Sequence, residues 1–261
     1  MENNGSALIC AENHLFDIAK EGYTNLLPSN KMHSKAPGDT KQMIASRRRF
    51  LESGYYDIFS SAINEQLIPL FSGNIKLLDV GCGEGYYTSR LKEAFEKNNI
   101  KVDVAGFDIS KFAVKAASKK YNGIEFAVAS AFEIPVKDSF CDCLINVFAP
   151  IVPDELRRVI KMGGYMLIAV PTENHLMGLK ELVYDEPYKN EVKDTYYEGF
   201  DFVKRVSVKE NIELNSAELI SDLFSMTPYY WKTSVEGSQR VAQASHLSTE
   251  IGFDLLIYRA I

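Results

Sequence analysis

The fold of this chain is decided by the stretch Lys76-Leu77-Leu78-Asp79-Val80-Gly81-Cys82-Gly83-Glu84-Gly85-Tyr86-Tyr87. The apolar run at residues 77–80 is typical of a buried parallel strand. Three glycines at alternate positions follow it, and glycine lets the backbone approach a ligand closely and adopt dihedrals that side chains forbid. A helix then begins near Tyr86, where the first N–H groups and the helix dipole favour a negatively charged group. The stretch therefore predicts a strand, a tight turn and a helix N-terminus that together form a ligand-binding edge.

The glycine spacing distinguishes two classes of cofactor. It is G-x-G-x-G preceded by an acid, Asp79, whereas the dinucleotide fingerprint is G-x-G-x-x-G without that acid. The pattern favours S-adenosylmethionine over NAD. We expect the amino-acid end of the cofactor to lie over Gly81 and Gly83, with Asp79 available to its ammonium group directly or through water.

The ends of the next two strands supply further candidate contacts. The strand at residues 102–107 ends at Asp108, where a carboxylate can accept hydrogen bonds from both ribose hydroxyls. The third strand ends before Ser130 and Ala131, where the adenine ring normally lies, so these two residues are candidate contacts to it. Together with the glycine turn, Asp108 makes a cofactor site the favoured interpretation over an ordinary α/β turn.

Strands alternate with helices over most of the chain. Helices are predicted at about residues 40–53, 57–70, 86–97, 111–121, 154–161, 175–184 and 217–224, and strands at about 76–80, 102–107, 124–129, 143–148, 165–170, 202–214 and 251–257. Such alternation implies βαβ units, a parallel sheet and a ligand crevice at the carboxyl ends of the strands. The last two strands lack a crossover, which predicts an antiparallel edge. The expected fold class is α/β, a Rossmann-like class I methyltransferase with a mostly parallel seven-stranded sheet and helices on both faces.

Composition places the chain among ordinary globular proteins. It has 261 residues, 46% of them hydrophobic, and a formal net charge of −6, which argues mildly against a general nucleic-acid binder. The sequence has no run of eighteen apolar residues and no recognisable signal peptide, so we expect no membrane span and a cytoplasmic location. The four cysteines form no disulfide framework.

Residues 1–39 are predicted to form a small N-terminal module and linker, and residues 40–261 the methyltransferase domain. Cys10 and His14 have the C-x3-H spacing of half a zinc site, but a closed structural zinc needs four ligands. A leftover thiol and a surface imidazole are therefore favoured.

The stretch from Lys31 to Arg49 carries six basic residues and one acid, and on charge alone a solvated helix face is favoured.

Three further positions are candidates for chemistry at the crevice. The strand at residues 143–148 delivers Asn146 and Phe148 to its edge, where Phe148 is equally well interpreted as a stacking surface for an acceptor base or as the final core residue. His175 overlooks the same crevice. Because an acidic N–H acceptor must lose a proton, His175 or a connector carboxylate, Asp185 or Glu186, is a candidate for the group that takes it.

Several stretches together resemble the bacterial 23S rRNA (guanine-N1)-methyltransferases. They are residues 16–28 (FDIAKEGYTNLLP), 37–39 (PGD), 47–51 (RRRFL), 54–56 (GYY), 79–88 (DVGCGEGYYT), 108–111 (DISK), 148–150 (FAP), 175–177 (HLM), 179–180 (LK) and 226–228 (MTP). The resemblance covers nearly the whole chain. It implies methyl transfer to N1 of a guanine in a 23S rRNA hairpin, and it implies that Tyr56, Gly83, Glu84 and His175 contact S-adenosylmethionine.

The resemblance also gives the N-terminal half a role. It makes the basic stretch from Lys31 to Arg49 a candidate RNA-facing surface, because Lys and Arg that neutralise phosphates supply much of the affinity of such complexes. The family carries an N-terminal four-ligand zinc module, and Cys10 and His14 match its second half. The Cys-x-x-Cys of the first half is absent from residues 1–9, so we expect little bound zinc.

Two alternative functions remain open from the sequence. One is a methyltransferase of the same fold that acts on a small molecule, which the acidic net charge and incomplete zinc module favour. The other is a non-catalytic homologue that binds RNA or the cofactor. The sequence also leaves the oligomeric state open, with a homodimer among the alternatives.

Overall fold

The computed structural model describes residues 2–3, 5–27, 37–192 and 195–261. A small antiparallel sheet near the N-terminus contains β1 (Glu2–Asn3), β2 (Ala7–Ile9) and β3 (Leu15–Asp17). The large sheet contains β4 (Thr24–Asn25), β5 (Asn74–Val80), β6 (Lys101–Asp108), β7 (Glu125–Val128), β8 (Cys141–Val147), β9 (Ile160–Pro171), β10 (Phe200–Leu214) and β11 (Leu247–Ala260).

The order of the strands in the large sheet is β10-β11-β9-β8-β5-β6-β7-β4. The six strands from β9 to β4 are parallel, and β11 and β10 are antiparallel to their neighbours. The α/β class, the central parallel strands and the antiparallel C-terminal edge are therefore confirmed. Because all parallel strands end at the same edge, the turns after β5, β6, β7, β8 and β9 meet there.

The sheet has eight strands rather than the predicted seven. The additional strand, β4, is only two residues long and lies within the predicted N-terminal module. It pairs with β7 in parallel, and the Leu26 N–H donates to the Val128 carbonyl at 2.9 Å. Two residues are too few to show a period, so no pattern in the sequence could reveal this strand. The division at residue 39 stays a prediction.

Eight α-helices occur among the described residues, and seven of them correspond to predicted ones. They are α1 (Lys41–Glu52), α2 (Asp57–Leu67), α3 (Tyr86–Lys97), α4 (Lys111–Lys120), α5 (Pro153–Val159), α6 (Met177–Val183), α7 (Ala217–Ser225) and α8 (Val235–Gln243). The unpredicted helix, α8, contains a glycine and buries only Gly237 and Val241. No described helix is long and apolar enough to cross a bilayer.

The central parallel strands β5 and β8 are buried on both faces. One face packs under α2, α3, α6 and α7 around side chains such as Phe59, Leu91 and Leu179, and the other packs around Leu78, Leu144 and Leu156. Burial on both faces explains why these strands read as continuous apolar runs rather than as alternating ones. It also leaves the carboxyl edge of the sheet as the place where polar groups can collect.

Candidate functional site

A cavity of about 1090 Å³ opens at the carboxyl edge of the parallel strands. Its walls come from the turn after β5, from the ends of β6, β8 and β9, and from residues just after β7. The N-terminal half adds Gly38, Asp39 and Arg47, and the chain near the 3-10 helix Pro228–Trp231 closes the far side. The volume lies just above the range of about 300 to 1,000 Å³ for small-molecule sites.

The glycine turn after β5 is held against β6. The N–H groups of Gly81 and Cys82 both donate to the Phe107 carbonyl at 2.9 Å. Gly81 has φ of 81°, and a Cβ there would lie 2.3 Å from the Ala149 Cβ, so only glycine fits. Gly83 has φ of 54°, and the nearest atom to a Cβ there would be Arg47 Nη1 at 3.9 Å. The space beside Gly83 is therefore open to a ligand.

Asp79 lies at the base of the cavity and is buried. One carboxylate oxygen accepts from the Thr88 hydroxyl at 2.5 Å, and the other has no partner among the described residues. Burial raises the pKa of Asp79 to about 7, although the Thr88 hydrogen bond lowers it. An unpaired buried carboxylate oxygen is costly, so the site favours a ligand that brings a positive charge or a donor.

Asp108 holds the turn from the next strand. Its two oxygens accept the Gly83 N–H at 3.0 Å and the Ser110 N–H at 2.8 Å. Burial raises the pKa of Asp108, whereas these two hydrogen bonds lower it. A carboxylate offers about four lone-pair positions, so both oxygens can accept further bonds from a ligand in the cavity.

The buried Glu84 forms an ion pair with the partly exposed Arg48 at the turn. Glu84 is 1% exposed, and its Oε2 accepts from Arg48 Nε at 2.5 Å. Its Oε1 is a second buried carboxylate oxygen without a partner among the described residues. Burial raises the pKa of Glu84, and Arg48 opposes that rise. Asp79 and Glu84 together make this end of the cavity suited to a cationic group.

Arg47 lies over the glycine turn and was not predicted as a cavity residue. It forms an ion pair with Asp39, and its Nη2 donates to the Met226 carbonyl at 3.4 Å. These two contacts bring α1, the segment before it and the Met-Thr-Pro stretch to one place. The only signal in the sequence was that all three belong to motifs of the resemblance.

The arginines of the basic stretch are paired with acids inside the molecule. Arg47 pairs with Asp39, Arg48 with Glu84, and Arg49 with Asp222 at 2.5 Å. Lys31 and Lys35 lie outside the described residues. An RNA-facing role for this stretch stays a prediction, and the structure gives its arginines intramolecular roles that the charge count could not reveal.

Tyr56 and His175 lie in the wall beside Phe253 and are both buried. Burial raises the pKa of Tyr56, so its phenol stays protonated. The Nδ1 of His175 accepts the Gly252 N–H at 3.2 Å, and burial lowers the pKa of His175 to about 3. A neutral imidazole with Nδ1 already occupied presents an Nε2–H donor. The structure therefore does not support His175 as the group that takes a proton.

Phe148 follows β8 with φ of 58°, an unusual value for a bulky residue. Its ring stacks on Phe59 at 5.6 Å and is 47% exposed to the cavity. One side of the ring packs on the core and the other is free, so a stacking surface for an acceptor base stays a prediction. Strained backbone at a cavity wall is typical of functional sites.

The remaining predicted contacts differ in their positions. Ser130 and Ala131 line the cavity, as expected for that strand end. Asn146 is buried behind the wall, where its amide donates to the Pro150 carbonyl at 3.1 Å and so holds the turn after β8. Its Oδ1 has no partner among the described residues. A direct contact from Asn146 to a ligand is not supported by its position.

Asp185 and Glu186 lie outside the cavity. The Asp185 side chain is 90% exposed and pairs with Arg240 at 3.1 Å. The connector instead presents Tyr188 and Asn190 to the cavity. The structure thus does not support a connector carboxylate as the proton acceptor, and the sequence pattern missed the two residues that do reach the site.

Cys10 and His14 come together, with the sulfur 3.5 Å from Nδ1. No cluster of three or more possible metal ligands occurs within residues 2–3, 5–27, 37–192 and 195–261. Two donors do not complete the tetrahedral set that structural zinc requires, so the described residues do not fit that metal.

Comparison with known proteins covers both parts of the chain. Residues 71–221 match the family described as "Methyltransferase domain", and residues 1–35 match the zinc-ribbon family described as "RlmA, N-terminal". The chain is 30% identical over 246 residues to the "Putative 23S rRNA (guanine-N(1)-)-methyltransferase" of Micromonospora griseorubida, with 87% of this chain and 81% of that protein covered. It is 32% identical over 184 residues to the 23S rRNA (guanine(748)-N(1))-methyltransferase of Streptomyces fradiae, with 69% and 62% covered.

Solved structures support the fold. The crystal structure of the [4+2]-cyclase SpnF superposes with a TM-score of 0.51 at 16% identity and covers 87% of this chain and 99% of that one. That protein is named for a cyclisation, so the shared fold does not by itself determine the reaction. The methyltransferase domain implies S-adenosylmethionine as the methyl donor, and the unpaired oxygens of Asp79 and Glu84 fit a molecule with cationic groups.

Proposed function

The chain belongs to the 23S rRNA (guanine-N1)-methyltransferase family, and on that premise we propose that it methylates N1 of a guanine in a 23S rRNA hairpin. The observation that carries the proposal is the cavity itself. It combines two unpaired, buried carboxylate oxygens beside a glycine turn with a half-exposed aromatic ring at the mouth of the same crevice. One end suits a cationic cofactor and the other suits a flat base.

The side chains at the glycine turn and at the neighbouring strand ends bind the cofactor. Asp79 and Glu84 accept hydrogen bonds from the ammonium group, which supplies the positive charge that their unpaired oxygens lack. Arg47, which lies 3.9 Å from the open position beside Gly83, pairs with the carboxylate. Asp108 accepts from the ribose hydroxyls, and Ser130 and Ala131 contact the adenine. Tyr56 and the neutral His175 complete the wall as hydrogen-bond donors.

The acceptor end is aromatic. Phe148, Tyr188 and Trp231 line the cavity with rings that are 47%, 49% and 65% exposed. A guanine in a hairpin must leave its stack before N1 can reach a methyl group, and stacking on an aromatic ring offsets part of that cost, about 1 to 3 kcal/mol per base. Base placement is therefore assigned to these three side chains.

The cofactor would supply an activated methyl group for in-line displacement: the bond from the methyl carbon to N1 forms as its bond to sulfur breaks, S-adenosylhomocysteine leaves, and the N1 proton passes to water. The protein must align the acceptor nitrogen with that group and exclude water from between them. Phe148 is placed to serve both ends, because one side of its ring packs on Phe59 and the exposed side lines the cavity. No zinc takes part in this proposal; elemental analysis of desalted protein should find well under one equivalent per chain.

The test is methyl transfer to defined RNA. Purified protein with labelled S-adenosylmethionine should methylate hypomethylated 23S rRNA, and mass mapping should place the label on N1 of one guanine. An extract of small metabolites serves as the competing acceptor. Label in the metabolite pool and none in the RNA would replace the proposal with a small-molecule methyltransferase. Binding of both RNA and cofactor without any S-adenosylhomocysteine would indicate a non-catalytic homologue.

Two partner predictions remain part of the proposal. The basic stretch can face RNA through Lys41, which is exposed at the start of α1. Lys232 also lines the cavity, next to Trp231, and its ammonium group can neutralise a phosphate of the RNA hairpin. A homodimer stays a prediction, to be tested by light scattering.

A further inference from the structure

Lys180 is the one fully buried cation among the described side chains. It lies on α6 at 0% exposure. Its Nζ donates to the Tyr188 carbonyl at 2.8 Å and to Asn190 Oδ1 at 2.7 Å, and it lies 4.5 Å from the centre of the Tyr188 ring and 5.5 Å from that of Tyr229. No carboxylate of the described residues forms an ion pair with it. Burial alone lowers the pKa of Lys180.

An unpaired buried charge is expensive for a protein to keep. The usual resolution is replacement by an apolar residue, because a well-packed side chain of the same volume is often neutral or stabilising at such a position. The presence of the Lys180 ammonium group is therefore better explained by the residues that it holds in place than by its contribution to packing. Both hydrogen-bond acceptors belong to the connector that follows α6, and both connector residues line the cavity.

Asn190 extends this link to the end of β9. Its side-chain amide donates to the Thr172 carbonyl at 2.8 Å, and its N–H donates to the Glu173 carbonyl at 2.8 Å. Lys180, Asn190 and the turn before His175 thus form one connected unit behind the acceptor end of the cavity. Without the ammonium group, Asn190 would still be held by its hydrogen bonds to the Thr172 and Glu173 carbonyls. The Tyr188 carbonyl would lose its hydrogen bond from Lys180.

We propose that Lys180 is a positioning residue for the acceptor base, which fixes Tyr188 and Asn190 in the wall against which the target guanine is placed. The inference rests on the proposed function and deepens it. The Tyr188 ring is half exposed and lies 5.6 Å from the Tyr184 ring, and Lys180 holds the backbone that carries it. The cation also contacts the face of the same ring, which favours one orientation of it.

The experiment compares Lys180→Met, Lys180→Arg and Tyr188→Ala in steady-state methylation of an rRNA hairpin. For Lys180→Met, we expect KM for the RNA to rise about tenfold to a hundredfold, the range of one lost stacking contact. The kcat at saturating RNA and the Kd for S-adenosylhomocysteine should stay within about twofold, because Lys180 does not line the cavity and burial, the larger cause of the lowered pKa of His175, remains in the variant. Lys180→Arg keeps a charged donor and should recover part of the RNA affinity.

The double variant tests whether Lys180 acts through Tyr188. If it does, Lys180→Met in the Tyr188→Ala background should add little, since coupled residues are not additive. Lys161→Met is the matched control, because Lys161 donates to Asp142 at 2.6 Å at the opposite edge of the sheet and should leave KM unchanged.

The outcomes separate the two proposals. A wild-type chain that does not methylate the RNA removes the proposed function and this inference with it. A wild-type chain that does so, with Lys180→Met unchanged, or with KM and the S-adenosylhomocysteine Kd raised together, or with fully additive losses in the double variant, overturns the inference alone. Binding of S-adenosylhomocysteine by each variant shows that it has folded.

Discussion

Asp79 shows how a single residue can oppose stability and serve binding. Its position directly before the glycine turn could be read from the sequence, and the structure places it in the cavity as expected. The sequence could not give its protonation, because that depends on burial by residues distant in the chain. One of its oxygens is unpaired, so the ionised carboxylate destabilises the ligand-free chain. A cationic ligand that pairs with this oxygen removes that cost.

The pH dependence of Asp79 follows from that cost. Burial raises its pKa to about 7 in the folded chain, so between about pH 4 and pH 7 the folded state keeps a proton that the unfolded state has lost. The free energy of unfolding of the ligand-free chain should therefore fall as pH rises through this window. Cofactor affinity should rise over the same window, because the ionised carboxylate binds the ammonium group.

Asp79→Asn separates this contribution from those of Asp108 and Glu84, whose pKa values are also raised. In the variant, the fall in unfolding free energy between about pH 5 and pH 8 should become shallower. Binding of S-adenosylhomocysteine should weaken by roughly 1 to 3 kcal/mol and lose much of its pH dependence. Urea unfolding and calorimetry at several pH values measure both. Identical slopes in the two proteins would show that Asp79 does not titrate as described.

His175 and Asp185 show where residue types alone mislead. Both are titratable, and both follow predicted elements near the crevice, so the sequence offered them as proton acceptors. The structure distinguishes them by what surrounds them. Burial, and then the charge of Lys180, lower the pKa of His175 and keep it neutral, whereas Arg240 and solvent surround Asp185. Such differences arise from contacts between segments far apart in the chain, which no local pattern contains.

At the scale of elements, the alternation of strands and helices was predictable because it repeats a strong local signal. The central strands β5 and β8 are buried on both faces, so they appear as apolar runs, and several turns carry a glycine or a cap. Ser110, for example, accepts from the Ala113 N–H and caps α4. The exceptions, β4 and α8, have too few apolar positions to show a period, and packing by other segments determines them.

The glycine turn allows a matched pair of substitutions. Gly81→Ala should cost stability, on the order of 1 to 3 kcal/mol, because φ is positive and the new methyl would lie 2.3 Å from the Ala149 Cβ. Gly83→Ala should cost about 1 kcal/mol but should weaken cofactor binding more, since its methyl would enter the open space of the cavity. Urea unfolding and S-adenosylhomocysteine titration of both variants measure the difference.

The contrast between the two variants is the informative quantity. If Gly83→Ala unfolds as easily as Gly81→Ala and binds S-adenosylhomocysteine as tightly as the wild type, then the space beside Gly83 is not the cofactor site. The pair is matched, because both substitutions add one methyl group to the same turn at positive φ.

At the scale of the whole molecule, the N-terminal segment is joined to the large sheet rather than appended to it. Tyr23 and Leu27 are buried in a cluster with Cys82, Phe126 and Val128, and β4 covers the edge of β7. Further along, Gly38 lies so close to Ile109 that a Cβ would be 2.9 Å away, and the Ser110 hydroxyl donates to the Asp39 carbonyl at 2.7 Å. The N-terminal segment thus helps to build the wall of the cavity.

Two truncations test how far the N-terminal segment is separable. A chain beginning at residue 19 loses the small antiparallel sheet but keeps β4, Tyr23 and Leu27, and we expect its unfolding free energy to stay near that of the full chain. A chain beginning at residue 37 loses these contacts as well. It should be less stable by about 3 to 6 kcal/mol, since each large apolar side chain contributes about 1.5 to 3 kcal/mol on burial.

The second truncation also uncovers the edge of β7, whose free N–H and C=O groups can pair with another chain. We therefore expect it to aggregate at concentrations where the chain beginning at residue 19 stays in solution. Urea unfolding gives the stabilities, and light scattering gives the association. Equal stability and solubility of the two truncated chains would mean that the boundary near residue 39 separates independent units, and that the contacts of Tyr23 and Leu27 contribute little to the large sheet.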